Sequence, residues 1–82
     1  MKALLTPDAK KQLSKLPRTA HSRIFRHLDY LQANPFAGKP LQRNLEGCYS
    51  LRVWPYRIVY VIIKNKNVIL ITAIEHRQGV YK

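Results

Sequence analysis

An α+β fold is predicted for this chain: an N-terminal strand, a two-helix antiparallel hairpin and three antiparallel strands, in the order β-α-α-β-β-β. Both helices are expected on one face of a four-stranded, mainly antiparallel sheet. Three observations predict it. Apolar residues recur at helical spacing between Ala9 and Leu31, three apolar runs of strand length follow Cys48, and prolines mark the junctions. Eighty-two residues leave little room for a second core, so residues 1–82 are read as a single domain.

Lys2 to Leu5 read as a short strand, and Thr6-Pro7-Asp8 as a helix start in which threonine caps and proline takes the first helical position. Ala9, Leu13 and Leu16 then form an apolar stripe, with Lys10, Lys11, Gln12 and Lys15 on the wet face, until Pro17 interrupts. From about Arg18 to Ala33 a longer helix aligns Ala20, Ile24, Leu28 and Leu31, and Asn34-Pro35 ends it. Its outer face carries Arg18, His21, Arg23, Arg26 and His27 against Asp29 alone. That face reads either as ordinary solvated surface or as one that follows a nucleic-acid backbone. Phe36 to Asn44 has no period and reads as a loop, kept basic by Lys39 and Arg43. Strands are expected at Tyr49 to Val53, Tyr56 to Ile63 and Val68 to Glu75, with Lys64 to Asn67 as a turn.

Strand alternation predicts which side chains share a face. If Trp54-Pro55 connects two strands, Val53 faces Tyr56 and Arg52 faces Arg57, a repulsive pair unless an anion sits between them. A symmetric turn at Lys64 to Asn67 pairs Ile63 with Val68 and Arg57 with Ile74. Ser50, Arg52, Arg57, Val59, Thr72 and His76 then share the open face, while Leu51, Val53, Tyr56, Ile58, Tyr60, Ile62, Ile69, Ile71 and Ala73 form the core. The chain is expected to leave strand geometry at Glu75-His76, which would bring Arg77 round to the open face. Trp54 is expected to cover the core edge.

Hydrophobic residues at 46% and charged ones at 23% describe a folding chain, yet fifteen Lys and Arg against four acidic residues give a net charge of +11. Such a balance calls for a polyanionic partner, most often nucleic acid. No apolar run approaches the ~20 residues of a membrane span. The N-terminus lacks the pattern of a secretory signal, so a cytoplasmic protein is expected, without a membrane partner. Cys48 is the only cysteine, which excludes an internal disulfide and a cysteine-based zinc cluster; it reads as a small strand residue.

Arg52, Arg57, His76, Arg77 and Tyr81 contain no carboxylate pair, metal-ligand set, glycine-rich phosphate loop or Ser-His-Asp set, and neither a cofactor nor a metal is expected. Glu46 and Glu75 stand apart from each other in sequence. What remains suits RNA cleavage without metal, in which the substrate's 2′-hydroxyl attacks the adjacent phosphorus. The protein then orients the chain, offsets charge on phosphorus and manages two protons. Arginines hold phosphoryl oxygens bidentately, and imidazole or phenol moves protons.

Leu45-Glu46-Gly47, then Leu51-Arg52-Val53 leading to Tyr56-Arg57-Ile58-Val59-Tyr60, then His76-Arg77 with Tyr81 resemble, in that order, the RelE/ParE superfamily of bacterial toxins. With the two-helix front half, the resemblance covers nearly the whole chain. It implies a toxin that enters the ribosomal A site, cuts messenger RNA, and is held inactive by a cognate antitoxin whose acidic or amphipathic segment wraps its basic surface. By the same resemblance Arg57 and Arg52 grip the phosphate, Arg77 assists its charge, and Tyr81 stacks on a base or helps with protons. His76 is added from its chemistry as an acid or base. Arg18, Arg23, Arg26, Lys39 and Arg43 are the expected contacts to RNA and ribosome. Ser50 stands where some RelE-like enzymes have lysine, and the ending at Lys82 leaves no room for the C-terminal helix of some relatives. A ParE-like inhibitor of DNA gyrase and a non-catalytic RNA-binding module are the alternatives.

Overall fold

A computed structural model of the chain describes residues 1–41 and 47–76. The elements are β1 (Lys2–Leu5), α1 (Pro7–Ser14), α2 (Arg18–Ala33), β2 (Lys39–Pro40), β3 (Cys48–Val53), β4 (Tyr56–Ile63) and β5 (Val68–His76). A short 3-10 turn at Lys64–Lys66 leads into β5.

α1 starts where its sequence dictates: the Thr6 hydroxyl accepts a hydrogen bond from the Ala9 amide at 3.1 Å, and Pro7 occupies the first turn. The apolar positions of both helices, Ala9 and Leu13 in α1 and Ala20, Ile24, Leu28 and Leu31 in α2, are buried. His21 does not belong to the solvated face. Its Nε2 donates to the Leu13 carbonyl at 2.8 Å, which also accepts from the Leu16 amide, and this bond joins the two helices.

The sheet has the order β1-β5-β4-β3-β2, with β1 parallel to β5 and every other pair antiparallel. Among the described residues it therefore has five strands rather than the expected four, because Lys39–Pro40, read as loop, pairs with Ser50 and Tyr49. The cause is the fully buried Tyr60, whose hydroxyl accepts from the Gly38 amide and donates to the Pro35 carbonyl, both at 2.9 Å. A loop has no sequence period to announce such an anchor.

The β3–β4 hairpin has the expected register, with Val53 opposite Tyr56 and Arg52 opposite Arg57. The β4–β5 pairing also starts as expected at Ile63 and Val68, but shifts by one residue between Tyr60, opposite Ile71, and Val59, opposite Ala73. Thr72 is the extra residue of a bulge. Its hydroxyl donates to the Val59 carbonyl at 3.3 Å, while the Thr6 hydroxyl donates to the Thr72 carbonyl at 3.4 Å.

The bulge corrects everything predicted beyond it. Ile74, not Ala73, enters the core, and Arg57 lies opposite Glu75, not Ile74. β5 stays in strand geometry through His76 instead of leaving it at Glu75. The core is then Val53, Tyr56, Ile58, Tyr60, Ile62, Ile69, Ile71 and Ile74 against the two helix stripes, with Leu51 partly buried beside it. Each large aliphatic side chain buried there contributes about 1.5–3 kcal/mol. Among the described residues no helix is long and apolar enough to cross a membrane.

Candidate nucleic-acid interface

The sheet face opposite the helices is built row by row from the strand pairing. Arg52 and Arg57 are partners across β3 and β4, and Glu75 follows Arg57 on β5. The next row reads Lys39, Ser50, Val59 and Ala73. Alternation puts the two rows on one side, so Lys39 joins the arginine pair. Gly38, Lys39, Ser50, Arg52 and Arg57 border a groove of ≈ 480 Å³.

Gly38 places Lys39 in that groove. A Cβ at this position would meet the Tyr60 hydroxyl and lie 2.9 Å from the Ser50 carbonyl oxygen, closer than packing allows. Only glycine lets the segment approach β3 and β4 this closely. Burial pushes the Tyr60 phenol above its ordinary pKa, partly countered by the Gly38 amide, so it holds its proton and remains able to donate to Pro35.

Glu75 is a member of this surface that sequence reasoning passed over. Nothing in its sequence neighbourhood signals a partner; the bulge alone brings it opposite Arg57. It also borders a depression of ≈ 300 Å³ at the β5 edge, together with Gln12, Lys15 and His76. A carboxylate on the far side of Arg57 offsets part of the repulsion between Arg57 and Arg52.

His76 is not brought to the arginine face. The bulge reverses its side, and its ring meets Tyr56 edge-on at 5.4 Å between centroids, at the end of the core face. The expected place of His76 on the open face beside Arg52 and Arg57 is corrected accordingly. Arg77, Tyr81 and Arg43 lie outside the described residues.

The α2 arginines divide. Arg23 donates to the Trp54 carbonyl, holding the β3–β4 corner, and Arg26 borders a groove between α2 and β3 that also touches Arg52. Arg18, exposed at the start of α2, is ~140° around the helix from Arg23, so the three do not form one stripe. Trp54 itself is 56% exposed and leaves the core edge to Val53 and Tyr56. Among the described residues, no three His, Cys, Asp or Glu side chains gather as a metal site.

The profile of a family described as ParE toxin of type II toxin-antitoxin system, parDE, matches residues 3–81. Toxin RelG of Mycobacterium tuberculosis is 32% identical over 79 residues, covering 94% of this chain and 91% of RelG. Toxin RelE of the same organism is 34% identical over 80 residues, covering 95% and 82%. Among solved structures, a chain of the M. tuberculosis toxin-antitoxin complex RelBE2 superposes with a TM-score of 0.85 at 31% identity, covering 93% of this chain and 96% of that one. The intact Escherichia coli RelBE complex gives 0.80 at 22% identity, covering 92% and 94%, and shares the fold. This chain belongs to the RelE/ParE superfamily and is a RelE-family toxin of a type II toxin-antitoxin pair.

Proposed function

We propose that this toxin is an mRNA endoribonuclease that acts in the ribosomal A site and thereby inhibits translation. The observation that carries the reading is the pairing of Arg52 with Arg57 across the β3–β4 ladder, with Lys39 beside them on the same open face. Two guanidinium groups opposed in this way gain most when a phosphate bridges them. In the proposed reaction the 2′-oxygen loses its proton and attacks phosphorus, the bond from phosphorus to the 5′-oxygen breaks, and that oxygen takes up a proton. Arg57 and Arg52 hold the phosphoryl oxygens in line and offset the charge that grows on them. By resemblance, Arg77 adds to that charge and Tyr81 stacks on a base or handles a proton. No metal enters these steps.

We also propose a cognate antitoxin as partner, bound over the basic surface through an acidic or amphipathic segment. Related toxins have been crystallised with RelB antitoxins, and a net charge of +11 suits such a segment. Incubation with translating ribosomes, followed by mapping of message ends, tests the reaction. Codon-positioned cuts that disappear with Arg57→Ala are expected. Intact message together with gyrase-dependent DNA damage would establish the ParE-like reading instead, which the name of the matching family favours.

A further inference from the structure

A second groove, of ≈ 420 Å³, runs between α2 and β3 and is lined by Arg26, His27, Tyr30, Leu51 and Arg52. We propose that it receives an unpaired base of single-stranded RNA, next to the nucleotide whose phosphate Arg52 and Arg57 hold. The proposal rests on RNA being the substrate of the arginine face and adds a place for a neighbouring nucleotide.

The lining supplies what a base needs. Tyr30 keeps 52% of its surface exposed on a helix whose other side is packed, which leaves the phenol ring available as a stacking platform. Leu51 gives an apolar wall. His27 supplies an edge-reading acceptor. Its Nδ1 lies 2.7 Å from the Arg23 carbonyl, which can only accept, so in the neutral tautomer that this bond selects the proton is on Nδ1 and Nε2 carries the lone pair. An amino or imino N–H of a base is the complementary donor.

The rim supplies what the phosphates need. Arg26 stands on the α2 side and Arg52 on the β3 side, and Arg52 borders both this groove and the one holding Lys39 and Arg57. A strand gripped at Arg52 and Arg57 therefore has a direct path over β3 into the second groove. The β2 pairing reaches Tyr49 and Ser50 and does not extend to Leu51. Arg23, bonded to the Trp54 carbonyl, fixes the spacing of helix and strand. A docked amphipathic helix would need a row of apolar anchors spaced along the groove, and among the described residues Leu51 is its one aliphatic side chain.

The test is equilibrium binding of the full-length toxin to a short single-stranded RNA made uncleavable by 2′-deoxy substitution, measured by fluorescence anisotropy across a salt series. Tyr30→Ala is expected to weaken binding roughly 5- to 150-fold, as for loss of one stacked base, with an unchanged salt slope. Tyr30→Phe should restore affinity to about twofold of wild type, since the ring face is kept. Arg26→Ala should lower the salt slope by about 1. An oligonucleotide with one abasic position in the matching register should bind wild type as weakly as the intact RNA binds Tyr30→Ala, and should be insensitive to that substitution. Wild-type affinity in Tyr30→Ala, no effect of any abasic position, or no binding of free RNA by wild type overturns the groove proposal. Loss of antitoxin co-purification with unchanged RNA affinity overturns it too, making the groove a peptide site. Message cleavage on ribosomes and its dependence on Arg57 are measured separately, so failure of the groove is distinguishable from failure of the ribonuclease reading.

Discussion

Glu75 lies directly opposite Arg57 across the β4–β5 ladder, and Arg57 lies opposite Arg52. One row of the sheet thus reads carboxylate, guanidinium, guanidinium. The carboxylate lowers the cost of holding two like charges together while the site is empty, and it lowers the attraction of that same face for RNA. Replacing it with a neutral isostere separates the two effects. Glu75→Gln should tighten RNA binding about 1.5- to 5-fold at low salt and lower folding stability by about 0.2–1 kcal/mol, the range of a cross-strand pair. Anisotropy titrations and urea melts of the same preparations check both signs, and a weaker-binding variant would contradict the account.

Arg57→Ala tests the other member of the row. It removes a repulsion with Arg52 and an attraction with Glu75, effects of similar size and opposite sign, so stability should change by less than about 1 kcal/mol. Message cleavage should fall at least ~100-fold, as when one preorganised charge-stabilising donor is lost. Activity lost through unfolding would appear as a lower melting temperature, which circular dichroism reads directly.

Tyr60 carries a stability prediction with a defined pH dependence. Tyr60→Phe leaves the buried Gly38 amide without its acceptor and should cost about 1–3 kcal/mol at neutral pH. Burial raises the phenol pKa in the folded chain, so the folded state keeps a proton that the unfolded phenol releases near pH ~10. The contribution is complete below that pH and is lost as pH climbs toward the raised folded value. Wild-type stability should therefore fall more steeply than that of Tyr60→Phe above pH ~10, as denaturant melts at stepped pH will show.

Gly38→Ala asks whether the loop positions Lys39. The added methyl meets the Tyr60 hydroxyl and the Ser50 carbonyl, of which the latter is held in the sheet. A loss of about 1–3 kcal/mol is expected from overpacking. If Lys39 is displaced from the groove, the salt slope of RNA binding should drop by about 1, matching Lys39→Ala. A normal slope in Gly38→Ala would mean that Lys39 reaches RNA without the anchor.

Much of the fold was legible because it rests on local rules. Thr6-Pro7 marks the start of α1, Asn34-Pro35 stops α2, and the stripe from Ala20 to Leu31 names the buried side of that helix. The two-residue Trp54-Pro55 corner sets the hairpin register, and with it the Arg52–Arg57 pair. The bulge was not legible. Val68 to Ile74 is apolar at every position but Thr72, so either register buries hydrophobic side chains and the sequence carries no alternation to choose between them. The β2 strand was hidden for another reason. Its two residues pair because Tyr60, more than twenty positions away, holds the segment before them.

By itself, then, the sequence determined the element order, the core stripes, the basic character of the chain and the opposition of Arg52 to Arg57, all of which follow from short-range periodicity and turn geometry. Tertiary structure alone decided that Glu75 rather than Ile74 faces Arg57, that His76 turns to Tyr56, and that Lys39 joins the arginines. A one-residue shift reverses every side chain beyond it; hydrogen bonds from Thr6 and Thr72 hold that shift, and those of Tyr60 hold the segment that brings in Lys39.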